Sequence, residues 1–124
     1  MKTFVFAALA SVAALGFAAP ALAQNGYVTS YCATLSYDDH FASDGYPLDT
    51  AAQVIRQDRA NVHEFGVSDP GDEYESVFGN KDYRAWLEGM LNGTMDSYTA
   101  NEVLYGYPDV CVEVYEHYVQ VHLQ

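Results

Sequence analysis

The sequence predicts one small α+β domain: about three mainly antiparallel strands, packed by two amphipathic helices and clasped by one disulfide. Three observations carry that reading. Polarity alternates with period two near both ends of the chain, from Tyr27 to Tyr37 and from Val110 to Leu123, as it does in strands. Between these stretches, two segments repeat apolar residues at helical spacing, each preceded by a capping residue. The two cysteines, Cys32 and Cys111, lie one in each alternating stretch, so a single pairing joins them.

The 124-residue chain opens with Lys2, an apolar run from Phe4 to Phe17 interrupted by Ser11 and Gly16, and Pro20-Ala21-Leu22-Ala23 before Gln24. A positive start, a short apolar run and small residues at its end make a secretory signal peptide over residues 1–23. The run falls short of the ~18–20 apolar residues that a membrane-spanning helix needs. One exported domain over residues 24–124 is therefore expected, periplasmic or secreted, with no membrane insertion after signal cleavage. Oxidising compartments let paired thiols persist, so Cys32 and Cys111 are expected to form a disulfide rather than a catalytic thiol.

Tyr27 to Tyr37 places Tyr27, Tyr31, Leu35 and Tyr37 on one strand face. Asp38-Asp39-His40 and Ser43-Asp44-Gly45 then read as loop and turn. Thr50-Ala51-Ala52-Gln53 is a capping box, in which the threonine and glutamine side chains satisfy each other's backbone N–H groups. A helix from Ala51 to Phe65 follows, stopped by Gly66. Its core stripe is Ala51, Val54, Ile55, Val62 and Phe65, with Asp58 in the middle of it. Asn80 caps a second helix over Lys81 to Asn92, with Tyr83, Trp86, Leu87, Met90 and Leu91 as its apolar face and Gly93 as its end. Thr99-Ala100-Asn101-Glu102 suggests a short third helix. The tail's apolar face switches between Val110, Val112, Val114 and Val119, Val121, Leu123. One straight strand of that length would run roughly 46 Å, more than a domain of this size spans. The tail is thus expected to bend at Glu116-His117, as a hairpin or a pronounced bulge.

All seventeen acidic residues follow residue 23, against Arg56, Arg59, Lys81 and Arg84, which leaves a formal charge of −13 there. Phosphate contact needs clustered lysine and arginine, so nucleic acid is excluded as a partner, and anionic membrane surfaces are disfavoured on the same ground. There is no Gly-x-Ser-x-Gly, no glycine-rich phosphate loop and no His-Glu-x-x-His. Asp69, Asp72, Glu73 and Glu75 depart from the calcium-loop order and read as a solvated acidic loop, while His117 and His122 fall on opposite sides of an unbroken strand. No cofactor or metal is expected.

Three groups remain as candidate site residues. Asp58 interrupts an apolar stripe, where an ionised carboxylate is costly unless it is paired or borders a cleft; a structural, hydrogen-bonded role is favoured. Arg56, Arg59 and His63 share one side of the first helix and form the chain's only basic cluster, able to seat an anion or to neutralise nearby acids. Tyr105 and Tyr107, flanking Gly106 and preceding Pro108, are the tyrosines most readily displayed on a loop. Together these features point to an acidic, non-catalytic protein-interaction domain, a binder or inhibitor of a cationic extracytoplasmic protein. The alternative is a small acid/base enzyme or ligand-binding protein with a cleft near Asp58, His40 and His63.

Overall fold

The computed structural model describes residues 26–124, so the signal peptide expected over residues 1–23 lies outside the described residues. The elements are β1 (Tyr27–Thr34), a 3-10 turn (Tyr37–His40), α1 (Ala51–Ala60) running into a π-helical turn (Asn61–Phe65), a second 3-10 turn (Val77–Gly79), α2 (Lys81–Thr94), α3 (Ser97–Tyr105), β2 (Asp109–Tyr115) and β3 (Val119–Leu123). The three strands form one antiparallel sheet in the order β1-β2-β3. This is the small α+β domain that periodicity predicts, and the short third helix suggested by Thr99 to Glu102 is present with nine residues beside the two amphipathic ones.

The tail bends as a hairpin. Tyr115 N–H donates to the Tyr118 carbonyl at 2.9 Å, and Val114 faces Val119 in register. The switch in the apolar face of the tail therefore keeps both segments on the same side of the sheet. Val110, Val112 and Val114 meet Leu35, Val54, Ile55, Leu87, Leu91 and Val103 in one fully buried core. On the opposite face, Cys32 lies directly across from Cys111, and the two are joined by the disulfide, which thus ties the first strand to the sheet's central strand.

β1 departs from simple alternation at both ends. A register shift between Tyr27 and Thr29 turns Tyr27 outward, edge-on to the Tyr115 ring at 5.9 Å. At the other end the strand stops at Thr34 and the 3-10 turn swings Tyr37 into solvent. Of Tyr27, Tyr31 and Tyr37, which period two puts on one inward face, only Tyr31 is buried.

The acidic loop expected to be solvated has a structural task. Glu73 N–H donates to the Cys32 carbonyl at 2.9 Å, Cys32 N–H returns a bond to Glu73 Oε1 at 2.8 Å, and Thr34 N–H donates to Asp72 Oδ1 at 3.0 Å. The segment covers the free edge of β1, which would otherwise offer unpaired backbone groups to another strand. Gly71 permits this approach, because a Cβ there would run into Thr34 Oγ1.

The helices follow their caps. Gln53 N–H donates to Thr50 Oγ1 and Thr50 N–H to Gln53 Oε1, and Asn80 Oδ1 accepts from Asp82 N–H at 2.7 Å. For α3 the cap is Asp96, which accepts from Thr99 N–H at 2.9 Å, so that helix starts two residues before Thr99. α2 runs past Gly93 to Thr94 and turns Arg84, Leu87 and Leu91 inward. Tyr83 is displaced to the surface, because Arg84 donates to the Phe78 carbonyl at 2.9 Å and pairs with Glu64 at 2.6 Å. Gly66 ends the first helix in the left-handed conformation, as the sequence indicates, but the final turn is π-helical. A wider turn advances fewer degrees per residue, which carries Phe65 out of the core stripe to 46% exposure.

Candidate functional site

Two neighbouring regions hold the residues singled out by the sequence. The first is a buried ion cluster behind β1. Asp58 and Arg59 are both fully buried, and Asp58 Oδ2 accepts from Arg59 Nε at 2.8 Å. The Arg59 guanidinium lies 3.8 Å over the Tyr31 ring, an arrangement in which the aromatic face attracts the cation. Its NH1 donates to Glu75 Oε2 at 2.7 Å and to the Glu73 carbonyl at 2.9 Å. Glu75 completes the cluster, with Oε2 at 2.8 Å from His63 Nε2 and Oε1 accepting from Phe78 N–H at 2.7 Å. Burial holds the Asp58 carboxyl well above its ordinary range, against the opposing pull of Arg59. The interruption in the apolar stripe is thus paired within its own helix, and Arg59 is the side chain that ties α1 to the acidic segment over β1.

The basic cluster on α1 is divided by this arrangement. Arg59 and His63 turn inward to Glu75, whereas Arg56 points across to α2 and pairs with Glu88 at 2.8 Å. The three side chains do not share a ligand. His40 is equally engaged: Nδ1 lies 2.7 Å from the Ser36 carbonyl and Nε2 lies 2.9 Å from the Val103 carbonyl. Asp58, His40 and His63 are each bonded to a different partner and none is bonded to another. Among the described residues no three His, Cys, Asp or Glu side chains converge as metal ligands.

The second region is a surface band of aromatic side chains. Tyr37, which opens the first 3-10 turn, and Phe41, the extended residue just after it, pack with ring centroids 4.8 Å apart and form a ridge. An open groove of about 570 Å³ runs along one side, lined by Asp38, Phe65 and Val67 among others. A second groove, of about 430 Å³, runs along the other, lined by Pro47, Asp49, Leu104, Tyr105 and Tyr107. Tyr105 is 80% exposed, and Tyr37 and Tyr107 are each 63% exposed. Tyr105 and Tyr107 are both displayed, as their sequence suggests, although Tyr105 is the last residue of α3 rather than part of a loop, and they lie beside residues that carry no such signal in the sequence.

Local bonding fixes the ridge. Asp39 Oδ2 accepts from Ser36 N–H at 3.0 Å, and Asp39 Oδ1 accepts from Asn61 Nδ2 at 2.9 Å. The 3-10 turn is thereby fastened to the π-helical turn of the first helix. His40 fastens the same turn to the end of α3 and lies edge-on to Tyr107 at 5.2 Å. Both grooves therefore border a surface held from two sides.

Asp39 gives the fold a pH dependence. Burial pushes its carboxyl up to about 6, the hydrogen bonds from Asn61 and Ser36 opposing the shift. Because the folded form binds its proton more tightly than the unfolded chain, this contribution to stability is complete below about pH 4 and is lost as pH rises through about 6. Asp58, raised by the same cause, acts with the same sign. The melting temperature is expected to rise between pH 7.5 and pH 5, and Asp39→Asn to flatten that slope. Melting curves of the two proteins across this range check it; parallel slopes would remove Asp39 from the account.

Comparison with known proteins finds no matching family model, no matching curated protein and no matching solved structure.

Proposed function

We propose that this domain is an exported, non-catalytic recognition module, a binder or inhibitor of a cationic protein outside the cytosol. The observation that carries the proposal is the aromatic band: five exposed large apolar side chains, Tyr37, Phe65, Val67, Tyr105 and Tyr107, gather on two adjoining grooves. Tyrosine supplies a large, fairly rigid contact surface with a polar tip and is enriched at binding interfaces. The charge around it agrees. Of the four cations that follow residue 23, Arg59 and Arg84 are buried in internal pairs and Arg56 is bonded to Glu88. Of the seventeen acids, only Asp39, Asp58 and Glu75 are buried. The outer surface is thus strongly anionic, which steers cationic partners toward it.

The disulfide supports a location where thiols are oxidised, and among the described residues no helix is long and apolar enough to cross a membrane. The test is titration of the purified protein with a panel of folded basic exported proteins, lytic enzymes included, at low and at physiological salt. A member of the panel is expected to bind at low salt and to lose affinity steeply as salt is added, with Tyr105→Ser weakening it further. Binding by none, or binding indifferent to both salt and Tyr105, would reject the proposal.

A further inference from the structure

We infer that the aromatic band receives a proline-rich, arginine- or lysine-bearing segment in the polyproline II conformation. This rests on the band being the binding surface and names the form of partner that suits it. Shape is the first argument. The Tyr37–Phe41 ridge separates two shallow, open grooves, and an extended left-handed helix of three residues per turn sends successive side chains to either side of such a ridge.

Backbone supply is the second. A partner that binds as an added strand needs an open sheet edge. Of the sheet's two edges, β1 is already occupied by Asp72 and Glu73, and neither β1 nor β3 lines either groove. A polyproline II segment needs no such edge, because its own structure contains no internal hydrogen bonds and its carbonyls stay free. The hydroxyl tips of Tyr37, Tyr105 and Tyr107 are the donors that such carbonyls accept from. An amphipathic helix fits less well, since its apolar face would cover Asp38 and Asp49 without pairing them, and a buried unpaired carboxylate is costly.

Charge is the third. Asp38 lines one groove and Asp49 the other, while no lysine or arginine lines either. His40, the only basic side chain there, has both ring nitrogens against carbonyl oxygens. Basic residues spaced along the segment would find a carboxylate at each groove, and their stems or guanidinium planes would lie against tyrosine faces.

The experiment compares two synthetic peptides of equal length and charge, (Pro-Pro-Arg)4 and (Gly-Ser-Arg)4, binding to the purified protein by calorimetry and by amide chemical-shift mapping. The proline peptide is expected to bind about tenfold more tightly, because its extended form is already ordered. Its shifts should centre on Tyr37, Phe41, Tyr105 and Tyr107. Tyr37→Ser and Tyr107→Ser should each weaken it several-fold while leaving the melting temperature near that of the parent, since both side chains are mostly exposed. Equal affinity for the two peptides, or shifts centred elsewhere, would overturn the inference. If neither peptide binds but a folded basic protein does, the inference falls and the recognition role stands; if nothing cationic binds, both fall.

Discussion

Arg59→Met is expected to lower folding stability by about 3–5 kcal/mol, the range for removing one partner of a buried ion pair. The loss comes less from the bonds themselves than from what is left behind. Arg59 bridges Asp58 at 2.8 Å and Glu75 at 2.7 Å, and its own side chain is fully buried. Without it, two carboxylates remain in the interior with no neighbouring guanidinium, and the Tyr31 ring loses the cation stacked on it. Methionine keeps much of the volume, so a cavity explains little of the change. Asp58→Ala should cost less, about 1–3 kcal/mol, because it removes a carboxylate that is itself expensive to bury. Urea unfolding of the two variants beside the parent measures both. The Arg59→Met deficit should shrink as pH falls, since protonation relieves the stranded acids. A deficit below about 1 kcal/mol, or one independent of pH, would mean the cluster does not anchor α1.

The second large effect is expected from the double variant Cys32→Ser, Cys111→Ser. The disulfide closes a loop with a sequence separation of 79, for which the chain-entropy account gives about 4–5 kcal/mol. That is a large part of the ~5–15 kcal/mol by which domains of this kind are stable. The folded state should change little, because Cys32 and Cys111 face each other in register within a ladder that β1 and β2 make without them. The effect belongs to the unfolded chain, which gains conformations. The midpoint of denaturation should fall sharply while the amide spectrum of the folded protein is preserved. An unchanged midpoint would remove the disulfide from the list of stabilising features, and a lost native spectrum would show that it shapes the fold rather than limiting the alternatives.

Features written in local periodicity are legible in the amino-acid sequence alone. Alternation around Cys32 and Cys111 is enough to place both cysteines on strands, and the phase switch across Glu116 and His117 is enough to bend the tail. Thr50 and Asn80 announce their helices because capping is a contact within three residues. Asp58 stands out for the same reason, since one charged residue in an apolar stripe must find a partner. That partner, Arg59, adjoins it, but the second carboxylate on Arg59 is less legible, because Glu75 comes from a segment that reads as solvated loop.

The aromatic band is legible only at Tyr105 and Tyr107. By alternation Tyr37 continues the inward face of a strand, but Asp39 bonds to Asn61, 22 residues away, and closes a 3-10 turn instead. By helical spacing Phe65 belongs to the core, but the helix widens into its π-helical turn, and Gly66 ends α- and π-helical turns alike. Phe41 and Pro47 carry no signal of their own, and the bridge between them, with the bond from His40 to the Val103 carbonyl, brings the second groove together. The band is a product of long-range contacts, and no linear pattern encodes it.

The position of the covalent bridge has one more consequence. Because Cys32 and Cys111 bracket the 3-10 turns, all three helices and the acidic segment, a protease that cuts any exposed loop between them leaves two fragments still joined. Such a nicked molecule would migrate as one species on a non-reducing gel and as two after reduction. It would also keep both halves of the aromatic surface at high local concentration, so that a single cleavage need not end its working life.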